Sequence, residues 1–128
     1  MTSITYEEQL RRIKDNPFNI AEIEEPSEEL IILSAKQNGF IIQYFTEISE
    51  QVALTAVRQN GLSLEFIDNP SYETCLEAVC QNGLAILFVE NQDEKICEAA
   101  RKRGQEQLDA DEITQLKYDL DILNTCEF

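Results

Sequence analysis

Five residues of this chain, Thr5, Ser27, Ser49, Ser71 and Asp93, stand 22 positions apart. All five are types that cap helix N-termini, because a side-chain oxygen accepts from a free backbone N–H of the first turn. In phase with them run Gln37-Asn38-Gly39, Gln59-Asn60-Gly61 and Gln81-Asn82-Gly83. Glycine commonly follows a helix C-terminus, where it takes the left-handed conformation without steric cost. The pattern predicts helix starts alternating with helix stops, the three glycines sitting in left-handed caps. A period this short also confines the fold to stacked units, since one unit cannot bury its apolar face alone.

Within 71–92, Cys75, Leu76 and Val79 form an i, i+1, i+4 apolar stripe of helical period, and Ala78 allows close approach of a neighbour. The stripe recurs as Ile31, Ile32, Ala35 and as Ala53, Leu54, Val57, with Leu10 and Ile13 in a degenerate first copy. The second half of each unit is short. Phe40, Ile42, Tyr44, Phe45 and Leu62, Leu64, Phe66, Ile67 place apolar residues at i, i+2, i+4 and i+5. Strict alternation would leave i+5 polar, so this half reads as a second helix of seven or eight residues rather than a strand. Pro26 and Pro70 directly precede their caps, where a helix cannot continue. Ile42, Leu64 and Ile86 beside Phe45, Ile67 and Val89 predict a continuous apolar spine, with Tyr44, Phe66 and Phe88 as a further core column.

The ends depart from the pattern. Pro17 stands where other units have Gly, and Glu22 where they have an aromatic residue. Near the other end, Lys102-Arg103-Gly104 replaces Gln-Asn-Gly one residue early. Asp109-Ala-Asp-Glu112 then resembles a capping box, followed by Ile113, Leu116, Leu120 and Leu123 on one stripe. The expected architecture is all-α: a short α-solenoid of about five two-helix repeats in one domain, 1–128. It comprises a degenerate repeat 5–26, repeats 27–48, 49–70 and 71–92, a shortened repeat 93–108 and a C-terminal capping helix 109–124.

Charge narrows the function. The chain has 25 Asp and Glu against 10 Lys and Arg, for a net charge of −15. The excess is −5 in each of 1–48, 49–92 and 93–128, from counts of 9 against 4, 6 against 1 and 10 against 5. A field of this sign repels nucleic-acid phosphates and anionic membrane surfaces. It suits a basic protein partner, or solubility alone. No apolar run is long enough to span a bilayer, and the first residues lack the apolar stretch of a signal peptide, so the expected location is cytoplasmic.

The chemistry-bearing residues are sparse. There is no histidine, no phosphate-binding glycine loop and no C-x-x-C, so neither catalytic residues, nor a metal site, nor a cofactor is expected. Cys75 and Cys97 occupy equivalent repeat positions and read as small packing residues. Cys80 falls where Lys14, Lys36 and Arg58 stand in other repeats, and is expected exposed.

The segment Cys75 to Gln92 (C-L-E-A-V-C-Q-N-G-L-A-I-L-F-V-E-N-Q) resembles a tandem-repeat family known as domain of unknown function 4116, whose copies read roughly A-V-K-Q-N-G-x-A-L-x-Y-V. The resemblance covers about 27–104 and is closest at Ala56–Gly61 and Ala78–Gly83. It implies a helical-repeat fold and no particular activity.

These features point to a non-enzymatic protein–protein interaction module on an acidic helical scaffold. Candidate partner-binding residues are the column Glu28, Glu50, Tyr72 and Glu94 just inside each helix start. To these are added Glu65 and Leu87 on the short helices, Leu87 being apolar where its equivalents are polar. A second expectation is an acidic inhibitor, from a phage or mobile element, that mimics nucleic-acid charge to block a basic enzyme.

Overall fold

The computed structural model describes residues 4–110 and is entirely helical over them. Five α-helices alternate with four 3-10 helices: α1 (Tyr6–Asp15), η1 (Pro17–Glu22), α2 (Glu28–Gln37), η2 (Gly39–Tyr44), α3 (Glu50–Gln59), η3 (Gly61–Phe66), α4 (Tyr72–Gln81), η4 (Gly83–Phe88) and α5 (Glu94–Ala110). The 22-residue step is one α/3-10 pair.

All five N-caps form as the residue types demand. Thr5 Oγ1 accepts from the Glu8 N–H and Ser27 Oγ from Leu30, while Ser49, Ser71 and the Asp93 carboxylate serve Val52, Thr74 and Ile96. The second element is helical but tighter than an α-helix. Its six residues close with i to i+3 bonds, such as Phe45 N–H to the Ile42 carbonyl at 3.0 Å. A 3-10 helix suits a piece this short, because it completes a turn in three residues and is rarely longer than one or two turns.

The glycines do not act as left-handed stops: no glycine among the described residues has positive φ. Asn38, Asn60 and Asn82 end the α-helices in extended conformation, with φ of −155°, −154° and −147°. Each asparagine also caps the 3-10 helix that follows, accepting at Oδ1 from the N–H two residues on. Glycine comes next because the following unit lies against it. A Cβ built on Gly39 would stand 2.4 Å from the Ala56 carbonyl oxygen, and one on Gly61 2.3 Å from that of Ala78. The glutamine of the motif completes the joint. Gln59 Oε1 accepts from Gly39 N–H at 2.6 Å, and Gln81 Oε1 does the same for Gly61. Gln59-Asn60-Gly61 thus spends one residue on the preceding unit, one on the corner and one on the following unit.

Among the described residues, units pack only on their sequence neighbours: α3, for example, touches α2, α4, η2 and η3. Buried columns run through the stack at the 22-residue step. Ile20, Ile42, Leu64 and Ile86 form one, Ile13, Ala35, Val57 and Val79 a second, and Ser34, Ala56, Ala78 and Ala100 a third of small residues. Leu30, Val52, Thr74 and Ile96 add a column at the third helical position that the apolar stripes alone do not reveal. Glu8 holds the same position in α1 without being buried, and its carboxylate accepts from Arg11 and Arg12. Those bonds, Arg12 first, hold the Glu8 carboxyl below the usual range.

Two further expectations are corrected. Tyr44 and Phe66 are not core: they are 50% and 36% exposed, with Phe88 half-buried. Each is the last residue of its 3-10 helix, where the turn opens into the extended return. The rings of Tyr44 and Phe66 pack edge-on against Phe18 and Phe40, with centroids 6.1 and 5.9 Å apart. Nor does a helix stop at Lys102-Arg103-Gly104, for α5 runs through it to Ala110, across the expected boundary at 108. Arg103 holds the glutamine's place in the repeat. It donates from Nε to the Gln81 carbonyl, while Gln107, one turn later, accepts from Gly83 N–H at 3.1 Å. The remainder of the expected capping helix, with Ile113, Leu116, Leu120 and Leu123, lies outside the described residues.

Candidate functional site

Charge is sorted across the stack. Lys14, Lys36, Arg58 and Lys102 share one repeat position, in the second half of the α-helices, and all are exposed. Cys80 occupies the same column and is exposed as expected, whereas Cys75 and Cys97 are buried. Burial pushes the Cys75 thiol up. The opposite edge, where the extended returns lead into the α-helices, carries Glu24, Glu25, Glu28, Glu47, Glu50, Asp68 and Glu90. No cation occurs between Lys36 and Arg58 or between Arg58 and Lys95. The helix dipole favours this sorting, placing acids at N-termini and cations at C-termini.

The candidate column Glu28, Glu50, Tyr72 and Glu94 lies on the acidic edge as the first residues of α2 to α5, all exposed. Three of the four also tie unit to unit. Glu28 Oε2 accepts from Ser49 Oγ at 2.8 Å, Glu50 Oε2 from Ser71 Oγ at 2.6 Å and Thr74 Oγ1 at 3.2 Å, and the Tyr72 hydroxyl donates to Asp93 at 3.3 Å. Tyr6 occupies the same column and donates to Glu29 at 2.5 Å. Burial and the Asp93 bond raise the Tyr72 hydroxyl pKa, and chiefly the Glu29 bond raises that of Tyr6.

Between successive returns the edge is grooved. One groove of about 320 Å³ brings Phe66 and Ile67 together with Glu47, Glu50 and Asp68. The next, of about 630 Å³, brings Tyr72, Phe88 and Val89 together with Asp68 and Glu90. The segment Ile67-Asp68-Asn69-Pro70 lines both. Glu50 and Tyr72 of the candidate column therefore reach a groove, one each. Glu65 and Leu87 reach neither; both are exposed on η3 and η4, Leu87 at 53%. Phe66, Asp68, Phe88 and Glu90 were not among the sequence candidates. Their signal is a carboxylate two residues after an aromatic residue, in Phe66-Ile67-Asp68 and Phe88-Val89-Glu90, which a core assignment of that aromatic column conceals.

Among the described residues no group of three His, Cys, Asp or Glu side chains could hold a metal ion. No described helix is long and apolar enough to cross a membrane. The fold and its joints define a helical-repeat protein built from stacked α/3-10 units. The chain carries, at residues 27–70, a match to the family described as domain of unknown function, DUF4116. That segment is the two central units; 71–92 repeats the same α/3-10 pair in the structure beyond the matched residues. No match was found among curated proteins or among solved structures.

Proposed function

We propose that this protein is a non-enzymatic protein–protein interaction module, and that it binds through the grooved, acidic edge of its stack. The observation supporting this reading is the juxtaposition of an exposed and a half-buried aromatic side chain, Phe66 and Phe88, with carboxylates that lack a cationic partner among the described residues. Phe66 and Phe88 share grooves with Glu47, Asp68 and Glu90, and none of these three acids has an ion pair or hydrogen bond among the described residues. Aromatic rings beside a polar rim are the usual composition of a protein-binding patch.

Charge mimicry is the second reading, and the acids gathered on one edge favour it. Calorimetry on a partner captured from lysate and then purified separates the two. An interaction module that buries apolar surface binds with a negative heat-capacity change. Its affinity falls by about tenfold or less as salt rises from roughly 50 to 200 mM, against about a thousandfold for binding that replaces nucleic-acid contacts. A heat-capacity change near zero with the steep salt dependence would overturn the module reading in favour of mimicry.

A further inference from the structure

We infer that the two grooves take cationic side chains of an extended basic segment of the partner, one Arg or Lys per groove, three residues apart. The inference rests on the interaction-module reading above and specifies its ligand. Each groove combines an aromatic ring with at least two carboxylates, the pairing that recognises a guanidinium or ammonium by its charge and by the ring face. Ile67 in both grooves, and Val89 in the second, offer apolar floor to the aliphatic stem of such a side chain. The anionic side is held open by the protein itself. Glu50 is fixed by Ser71 and Thr74, while Glu47, Asp68 and Glu90 have no cation partner among the described residues.

The spacing follows from the stack. Packed α-helices lie about 8–10 Å apart, so consecutive returns, and the grooves between them, are separated by about that distance. A segment in the extended polyproline II conformation advances about 3.1 Å per residue with three residues per turn, so every third residue faces the same side and meets the next groove at about 9 Å. Asp68 on the shared wall faces both positions, which makes it the carboxylate whose removal matters most.

The test uses the full-length protein and labelled peptides in fluorescence anisotropy at physiological salt. One peptide has three arginines, each separated by two alanines. The other has the same composition with the arginines contiguous. The spaced peptide is expected to bind about tenfold tighter, the worth of one well-formed charge-assisted contact. Asp68→Asn is expected to lower its affinity about tenfold, while Glu98→Gln, the same charge change on the exposed face of α5, leaves it within about twofold. Unchanged melting of both variants shows that the fold is intact. Equal binding of the two peptides, or equal losses in the two variants, would show attraction to net charge alone and overturn the inference. If a purified partner binds and Asp68→Asn leaves its affinity unchanged, the inference falls and the module reading stands. If neither peptide nor any partner binds, both fall.

Discussion

The first joint of the stack and the middle joints solve one packing problem with different residues. Between the second and third units, and again between the third and fourth, glycine lets backbone meet backbone, and a glutamine from the next helix accepts the glycine N–H. Between the first and second units, Pro17 stands in the glycine's place and has no N–H to offer. The bond there runs the other way: Ser34 Oγ donates to the Pro17 carbonyl at 2.7 Å. Ser34 holds the position of Ala56 and Ala78, so two substitutions 17 residues apart exchange one joint for another. The repeat is therefore conserved at the level of the contact even where its residues change.

If that account is right, the largest effect comes from giving a middle joint a side chain. In Gly61→Ala the added Cβ would stand 2.3 Å from a backbone carbonyl that cannot rotate away. The units must separate, at a cost of about 2–3 kcal/mol, the upper range for overpacking. Thermal unfolding should show a fall in Tm of roughly 10 °C or more for a domain of this size. Negative φ at Gly61 means that backbone strain contributes nothing, so Gly61→Ala melting like the wild type would refute the close-approach explanation directly.

The next contrast is between two glutamines at one repeat position. Gln81→Ala leaves the Gly61 N–H, on a buried residue, without its acceptor and should cost about 1–3 kcal/mol. Gln37→Ala should change stability by less than about 0.5 kcal/mol, because Pro17 has no proton to lose a partner for. Denaturant unfolding of both variants measures the difference. Equal costs would show that glutamine serves some purpose at this position other than the joint.

These joints also show how far the sequence could be read. The caps were legible because a Ser, Thr or Asp at a helix start acts on its own backbone, within three residues. The apolar spine through Ile42, Leu64 and Ile86 was legible because a column repeated in phase must face the same neighbour. The role of Gly39 was not, since a glycine before a left-handed turn and one beneath a neighbouring carbonyl look identical in one dimension. The exposure of Tyr44 and Phe66 was missed for a related reason. Their columns repeat as faithfully as the core, but they end tight 3-10 helices where the chain turns outward. The grooves depend on the spatial order of the returns, which periodicity alone does not supply.

A smaller effect tests the interior of a middle joint. Ser63 is fully buried on η3, beside Gly39, and its hydroxyl has no hydrogen-bond partner among the described residues. Its equivalent in the next unit, Ala85, is buried equally well without a hydroxyl. Ser63→Ala should stabilise the protein by about 1 kcal/mol, by relieving the desolvation of an unpaired polar group. A loss of stability by denaturant titration would mean that the hydroxyl supports the Gly39 contact.

The smallest expected effect compares the returns that follow the first and third units. Glu25 and Asn69 are the only described non-glycine residues with positive φ, 45° and 50°, and each directly precedes a proline. Their equivalents Glu47 and Asn91 precede Ile48 and Gln92 and keep negative φ. Proline bars the right-handed helical region to the residue before it, so a tight return at these two places passes through the left-handed region instead. Asparagine tolerates that region far better than glutamate does. Glu25→Asn should therefore raise stability by about 0.5 kcal/mol, while Asn69→Glu lowers it by a similar amount. Opposite shifts in midpoint denaturant concentration, at unchanged slope, are the expected pair of readings. Shifts of the same sign would mean that the carboxylate, rather than the backbone, decides the return.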